Sequence, residues 1–171
     1  MIFKVNLGNF QPNDGTYVFS ASALDTKFCH KKYLPSRERT LEIIGSGVVS
    51  AVITPFEINK LKNYIGESEY FKKYYPTWRG RNARVFYVGG IDAYLDRHEE
   101  LYKLYLNHNM HRGDLSSVLV AIECMLPLVT NDSHHWSLQQ KFQKIFKNRH
   151  STNRYFIMLT SQDFCKEVEK I

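Results

Sequence analysis

Apolar positions along the chain switch between short continuous runs and longer stretches with helical spacing, a pattern that predicts strands joined by helices. Val48, Val49, Ala51, Val52 and Ile53 form a β-branched run of buried-strand character, and Thr54-Pro55 then opens a helix carrying Glu57 on its first turn. An earlier strand over 16–19 follows the Asn13-Asp14-Gly15 turn, and residues 2–7 predict an edge strand. Helices are expected over 21–33 and again after Pro35-Ser36, where Leu41, Ile43 and Ile44 precede the Gly45 to Gly47 stop. Residues 91–107 predict one amphipathic helix, with Ile91, Leu95, Tyr102 and Tyr105 available for core packing or, if exposed, for a homodimer.

The stretch GDLSSVLVAIECMLPLVTND, residues 113–132, predicts a helix opening at Asp114, a tight Leu126-Pro127 turn and a short strand ending at Asp132. Helix starts and strand C-termini face the same edge of a right-handed βαβ sheet, so the two carboxylates are expected to meet there and to suit a metal. Each acid also has a purely local role: Asp114 follows Gly113 as an N-cap, Asp132 precedes a helix near His134, and Thr54-x-x-Glu57 is a capping box. His134 and His135 read as partly exposed cap residues. A helix over 136–147 offers Leu138, Phe142 and Ile145 for packing and Lys141 and Lys144 on another face, before a strand over 154–160 and a helix capped by Ser161. The expected architecture is α/β, with three α/β/α layers around a mostly parallel sheet.

The 171 residues are 43% hydrophobic and 23% charged, which predicts one compact domain over 1–171, with 1–15 as an extension and 66–90 as a basic, aromatic insertion. No signal peptide or apolar span is evident, so a cytoplasmic protein without a membrane partner is expected. Cys29, Cys124 and Cys165 form no CxxC pair and are expected as buried thiols. The net charge of +6 favours a polyanionic partner, while also suiting an acidic protein. In YFKKYYPTWRGRNARVFYVGG, aromatics interleave with Lys72, Lys73, Arg79, Arg81 and Arg84, a composition suited to RNA. The competing reading packs Tyr70, Phe71 and Trp78 inward beneath a solvated basic loop.

Asp114, Ala121, Leu126 to Val129, Thr130, Asn131 and Asp132 together resemble the C-terminal half of a PIN domain, a metal-dependent nuclease family that includes toxins of bacterial toxin–antitoxin pairs. The segment VVSAVITPFEINKL resembles the element that carries the family's second acid, here Glu57. The segment YVFSASAL resembles its first strand and turn, with Ser20 where the first Asp is expected. A second register would put Asp25-Thr26 at that position but leaves Ser20 and Ser22 inside a buried strand, so the Ser20 register is preferred. Asp25 is then expected as a solvated helix residue.

The resemblance implies that Asp114, Asp132 and Glu57 hold Mg²⁺ or Mn²⁺, which activates water for attack on an RNA phosphodiester. It also implies that Thr130 orients its neighbours and Asn131 holds the loop, and it raises an antitoxin and a second copy as partners. Ser20 offers only a neutral, weak ligand. A second expectation is therefore a PIN-like module that binds RNA or protein without cleaving.

Overall fold

The computed structural model describes residues 1–25, 32, 34–108 and 110–170. Six parallel strands, β1 (Ile2–Asn6), β2 (Thr16–Phe19), β3 (Ser50–Ile53), β4 (Arg84–Gly89), β5 (Leu128–Val129) and β6 (Met158–Leu159), form one sheet in the order β1-β4-β3-β2-β5-β6. The chain runs outward from β2 through β3 to β4, then returns to place β5 and β6 on the other side of β2. The strand order thus reverses between β2 and β5, and open α/β sheets bind ligands at the carboxyl end of such a reversal.

Helices α1 (Leu34–Ser46), α2 (Pro55–Ile65), α3 (Glu67–Lys73), α4 (Tyr75–Arg79), α5 (Ile91–Arg97), α6 (Glu99–Asn107), α7 (Arg112–Glu123), α8 (Ser133–Ser137), α9 (Gln139–His150) and α10 (Ser161–Glu169) complete the three layers. Strand alternation divides the core in two. Val18, Val52 and Leu128 face α5, α6, α7 and α9, whereas Phe19, Ala51, Ile53 and Val129 face α1 to α4 and α10. Burial on both faces explains why these strands read as unbroken apolar runs. Among the described residues no helix is long and apolar enough to cross a membrane.

Several elements differ from the sequence expectation for identifiable reasons. Of the helix over 21–33, the described part is a 3-10 turn at Ala21–Ala23, and 26–31 and 33 lie outside the described residues, as does Cys29. The helix over 91–107 breaks into α5 and α6 at His98, whose Nε2 lies 2.5 Å from Glu123 of α7, and Tyr102 is exposed rather than packed. The helix over 136–147 begins earlier, as α8, and restarts as α9 after Leu138. The last strand is confined to Met158–Leu159, and α10 is capped by Thr160, not Ser161, whose buried hydroxyl instead meets Ser36 and Asn131. In the 66–90 segment, Tyr70, Tyr74 and Trp78 pack inward while Phe71 stays exposed.

Candidate functional site at the carboxyl edge of the sheet

Ser20 directly follows β2 and Thr130 directly follows β5, at the strand-order reversal. Thr130 is the hub: its hydroxyl accepts from Ser20 Oγ at 2.9 Å and from the Asp132 amide at 3.2 Å, and lies 2.8 Å from His135 Nδ1 and 3.2 Å from Ser22 Oγ. His135 is fully buried, and its Nε2 lies 2.7 Å from the Asp114 carbonyl. A carbonyl only accepts, so Nε2 carries the proton, and a neutral imidazole then receives the Thr130 O–H at Nδ1. This assignment satisfies every group in the chain Ser20–Thr130–His135–Asp114. Asn131 closes the loop, its side-chain amide donating to the Ser22 carbonyl and Ser161 Oγ and accepting from the Ser161 amide, at 3.1, 2.9 and 2.9 Å.

The three predicted acids have unequal surroundings. Glu57, on the first turn of α2, is fully buried. Thr54 caps α2 by accepting from the Glu57 amide at 3.3 Å, but the reciprocal half of the capping box is not made. The Glu57 carboxylate turns instead to the Ala21 amide at 2.9 Å and Ser117 Oγ at 3.3 Å, joining α2 to the β2 turn and α7. Burial pushes its carboxyl above the usual carboxylate range, against the opposing pull of the Lys60 ammonium and the Ala21 amide.

Asp114 lies in the first turn of α7 and is nearly buried, but the N-cap is His111. Its carboxylate pairs directly with the Lys60 ammonium. Burial opposes the Lys60 charge, yet Glu57 and Asp114 outweigh it and hold its pKa above the ordinary value, with Asp132 adding to the same pull. Because Glu57 is itself driven toward neutrality, the direct Asp114 contact is the firmer anchor. Asp132 caps α8, accepting from the His134 amide at 2.9 Å. Its side chain is 22% exposed and that of Lys60 is 25% exposed, so these two give the cluster its access to solvent.

Asp25, the alternative first acid, is not solvated. It is buried beside the Tyr74 hydroxyl, with Lys73 Nζ at 3.6 Å, and burial together with Asp25 drives that phenol well above its usual range. It serves a different polar cluster, beneath α3.

These surroundings bear on the divalent cation that the resemblance implies. Such a cation needs several anionic oxygens directed at one point. Ser20 is neutral and bonded to its neighbours, both Glu57 oxygens already accept a hydrogen bond, and Asp114 is engaged by an ammonium. Among the described residues no group of three or more His, Cys, Asp or Glu is arranged to hold a metal. The residues do not fit Mg²⁺ or Mn²⁺.

Lys60 and Ser117 escaped sequence reasoning, and His135, expected as a partly exposed cap residue, is instead fully buried because Thr130 and the Asp114 carbonyl hold both of its ring nitrogens. Lys60 had a detectable signal, since three positions after Glu57 places it on the same helix face. His135 and Ser117 acquire their partners only through tertiary packing. No protein-family model matches the chain, and no curated protein matches it in sequence.

Proposed function

We propose that this chain is a PIN-like RNA-binding module that works without metal-dependent hydrolysis. The observation that carries this reading is the Lys60 ammonium, held by Asp114 and within the field of Glu57 and Asp132. One positive charge already sits where a divalent cation would be needed to balance these acids. The net charge of +6 supplies long-range attraction for a phosphate backbone. In this reading Ser20, Thr130, His135 and Asn131 lock β2, β5, α7 and α8 together and give the surface a rigid base.

A second reading, a Mg²⁺- or Mn²⁺-dependent ribonuclease, draws on one observation: Lys60 lies in the field of all three carboxylates, so its displacement would free Asp114 and uncover negative charge beside the other two. Incubation of the protein with a mixed labelled RNA pool in Mn²⁺, in Mg²⁺ and in excess EDTA separates the two. The proposal expects binding that EDTA leaves intact and no cleavage in any arm. Divalent-dependent cleavage that Asp114→Asn abolishes would replace it with the nuclease reading.

A further inference from the structure

We infer that the groove beside β1 and β4 is a track for one strand of nucleic acid, with Lys4, Lys62 and Arg79 as phosphate partners and Phe71 and Tyr75 as stacking platforms. The inference rests on the RNA-binding reading above and gives it a surface.

The groove follows from the sheet topology. Strand β1 pairs with β4 in the register Lys4↔Tyr87 and adds one strand at the edge of the sheet. Strand alternation turns Ile2 and Lys4 to the side of α2, α3 and α4, and the space between them forms two cavities of about 630 and 550 Å³ that meet at Lys4, Lys62 and Tyr87. Among the described residues no acid lines either cavity. A third cavity of about 480 Å³ shares Pro55, Asn59, Gly89 and Gly90 with the second and reaches Phe56 and Asp92, whose carboxylate is met by Arg112 at 2.9 Å. Phe56 packs against Gly113, where an added Cβ would lie 3.3 Å from it, beside Asp114 and Lys60. The groove therefore runs from α4 toward the carboxylate site.

Its chemistry suits a single strand better than a duplex or a protein. Phe71 is 41% exposed, Tyr75 is half-buried, and their rings meet edge to face at 5.1 Å. Lys62 lies 5.3 Å from the Phe71 ring and Arg79 lies 5.5 Å from the Tyr75 ring, so each of the two rings has a cation beside it. Flat rings alternating with cations bind unstacked bases and their phosphates, whereas a duplex keeps its bases stacked on one another. Tyr70, Tyr74 and Trp78 form the buried support behind them.

The test is fluorescence polarisation in EDTA with a labelled single strand of about ten nucleotides, as RNA and as DNA of the same sequence, across a salt series. The Lys4→Glu/Arg79→Glu double variant is compared with Lys144→Glu/Lys166→Glu, which changes net charge equally on the exposed faces of α9 and α10. The groove variant is expected to lose about tenfold or more in affinity and to flatten the salt slope, while the control loses about twofold. Phe71→Ala should weaken binding about fivefold or more with little change in salt slope. Equal losses in the two double variants would overturn the groove and leave RNA binding standing. Failure of the wild type to bind either strand would overturn both, and tight binding of a duplex competitor would refute the single-strand specificity. Circular dichroism melts confirm that each variant is folded.

Discussion

The carboxylate site and the basic groove treat charge in opposite ways. At the carboxyl edge of β2 and β5, Glu57 and Asp114 are buried, Asp132 is partly exposed, and each is engaged: Glu57 by Ala21 and Ser117, Asp114 by Lys60, Asp132 by the start of α8. Along β1 and α4, Lys4 and Arg79 are exposed, and among the described residues no acid lines the cavities they border. Charge that is internally balanced stabilises a fold, whereas charge left facing solvent acts on a partner. The contrast separates a carboxylate cluster whose charges are met inside the fold from a basic surface whose charges face outward, the surface on which the proposed RNA binding rests.

The largest expected effect falls on the balanced site. His135→Ala removes the bridge between Thr130 and the Asp114 carbonyl and leaves a cavity, and should cost about 3 kcal/mol in urea unfolding. A loss below about 1 kcal/mol would mean that the bridge does not hold the site together. Lys60→Met strands Asp114, and after allowance for the partial exposure of Lys60 it should cost about 2 kcal/mol in EDTA. The same variant, melted in Mn²⁺, should regain part of that loss if the ammonium occupies the cation position; no difference between Mn²⁺ and EDTA would dismiss that equivalence. The groove should behave inversely, with Lys4→Glu/Arg79→Glu shifting stability by less than about 0.5 kcal/mol while RNA affinity falls.

Glu57 gives a pH signature. Its folded-state pKa is raised by burial, so the stability linked to its protonation is fully present below the ordinary value of 4.5 and is lost as pH rises through the folded pKa. The unfolding midpoint of Glu57→Gln should therefore gain on the wild type as pH is raised from 4.5 to about 8. A constant difference across that range would place Glu57 as an ordinary ionised acid. A modest gain is expected at Met125, which closes α7 in the left-handed region at φ 54°, with the Leu126 amide bonded to the Ala121 carbonyl at 2.9 Å. Met125→Gly should relieve strain and gain about 0.5 to 1 kcal/mol, measured as a rise in melting temperature.

Much of the frame was legible because it is local. The run Val48 to Ile53, the Thr54-Pro55 start of α2, the Leu126-Pro127 turn and the short strand after it all carry their signals within a few residues, and each forms, though the first strand starts only at Ser50, leaving Val48 exposed, and the second ends at Val129, short of Asp132. The helix break at His98 was not legible, since the partner that draws the residue aside is Glu123, on another helix. The capping box at Thr54 was half right for the same reason: the local amide bond forms, but a tertiary competitor takes the carboxylate.

The sequence by itself determined the alternation of buried strands and amphipathic helices, and it named Asp114, Asp132, Glu57 and Thr130 as residues to watch. Hydrophobic period and capping chemistry act over one turn or a few strand residues, so they survive without knowledge of the fold. Only the tertiary structure decided which neighbour each acid meets. Parallel strands joined by long crossovers bring Ser20, Glu57, Asp114 and Thr130 together from distant parts of the chain, and burial there depends on the whole sheet. Whether a carboxylate faces a hydroxyl, an ammonium or open solvent is set by that assembly, and the function of the edge follows from it.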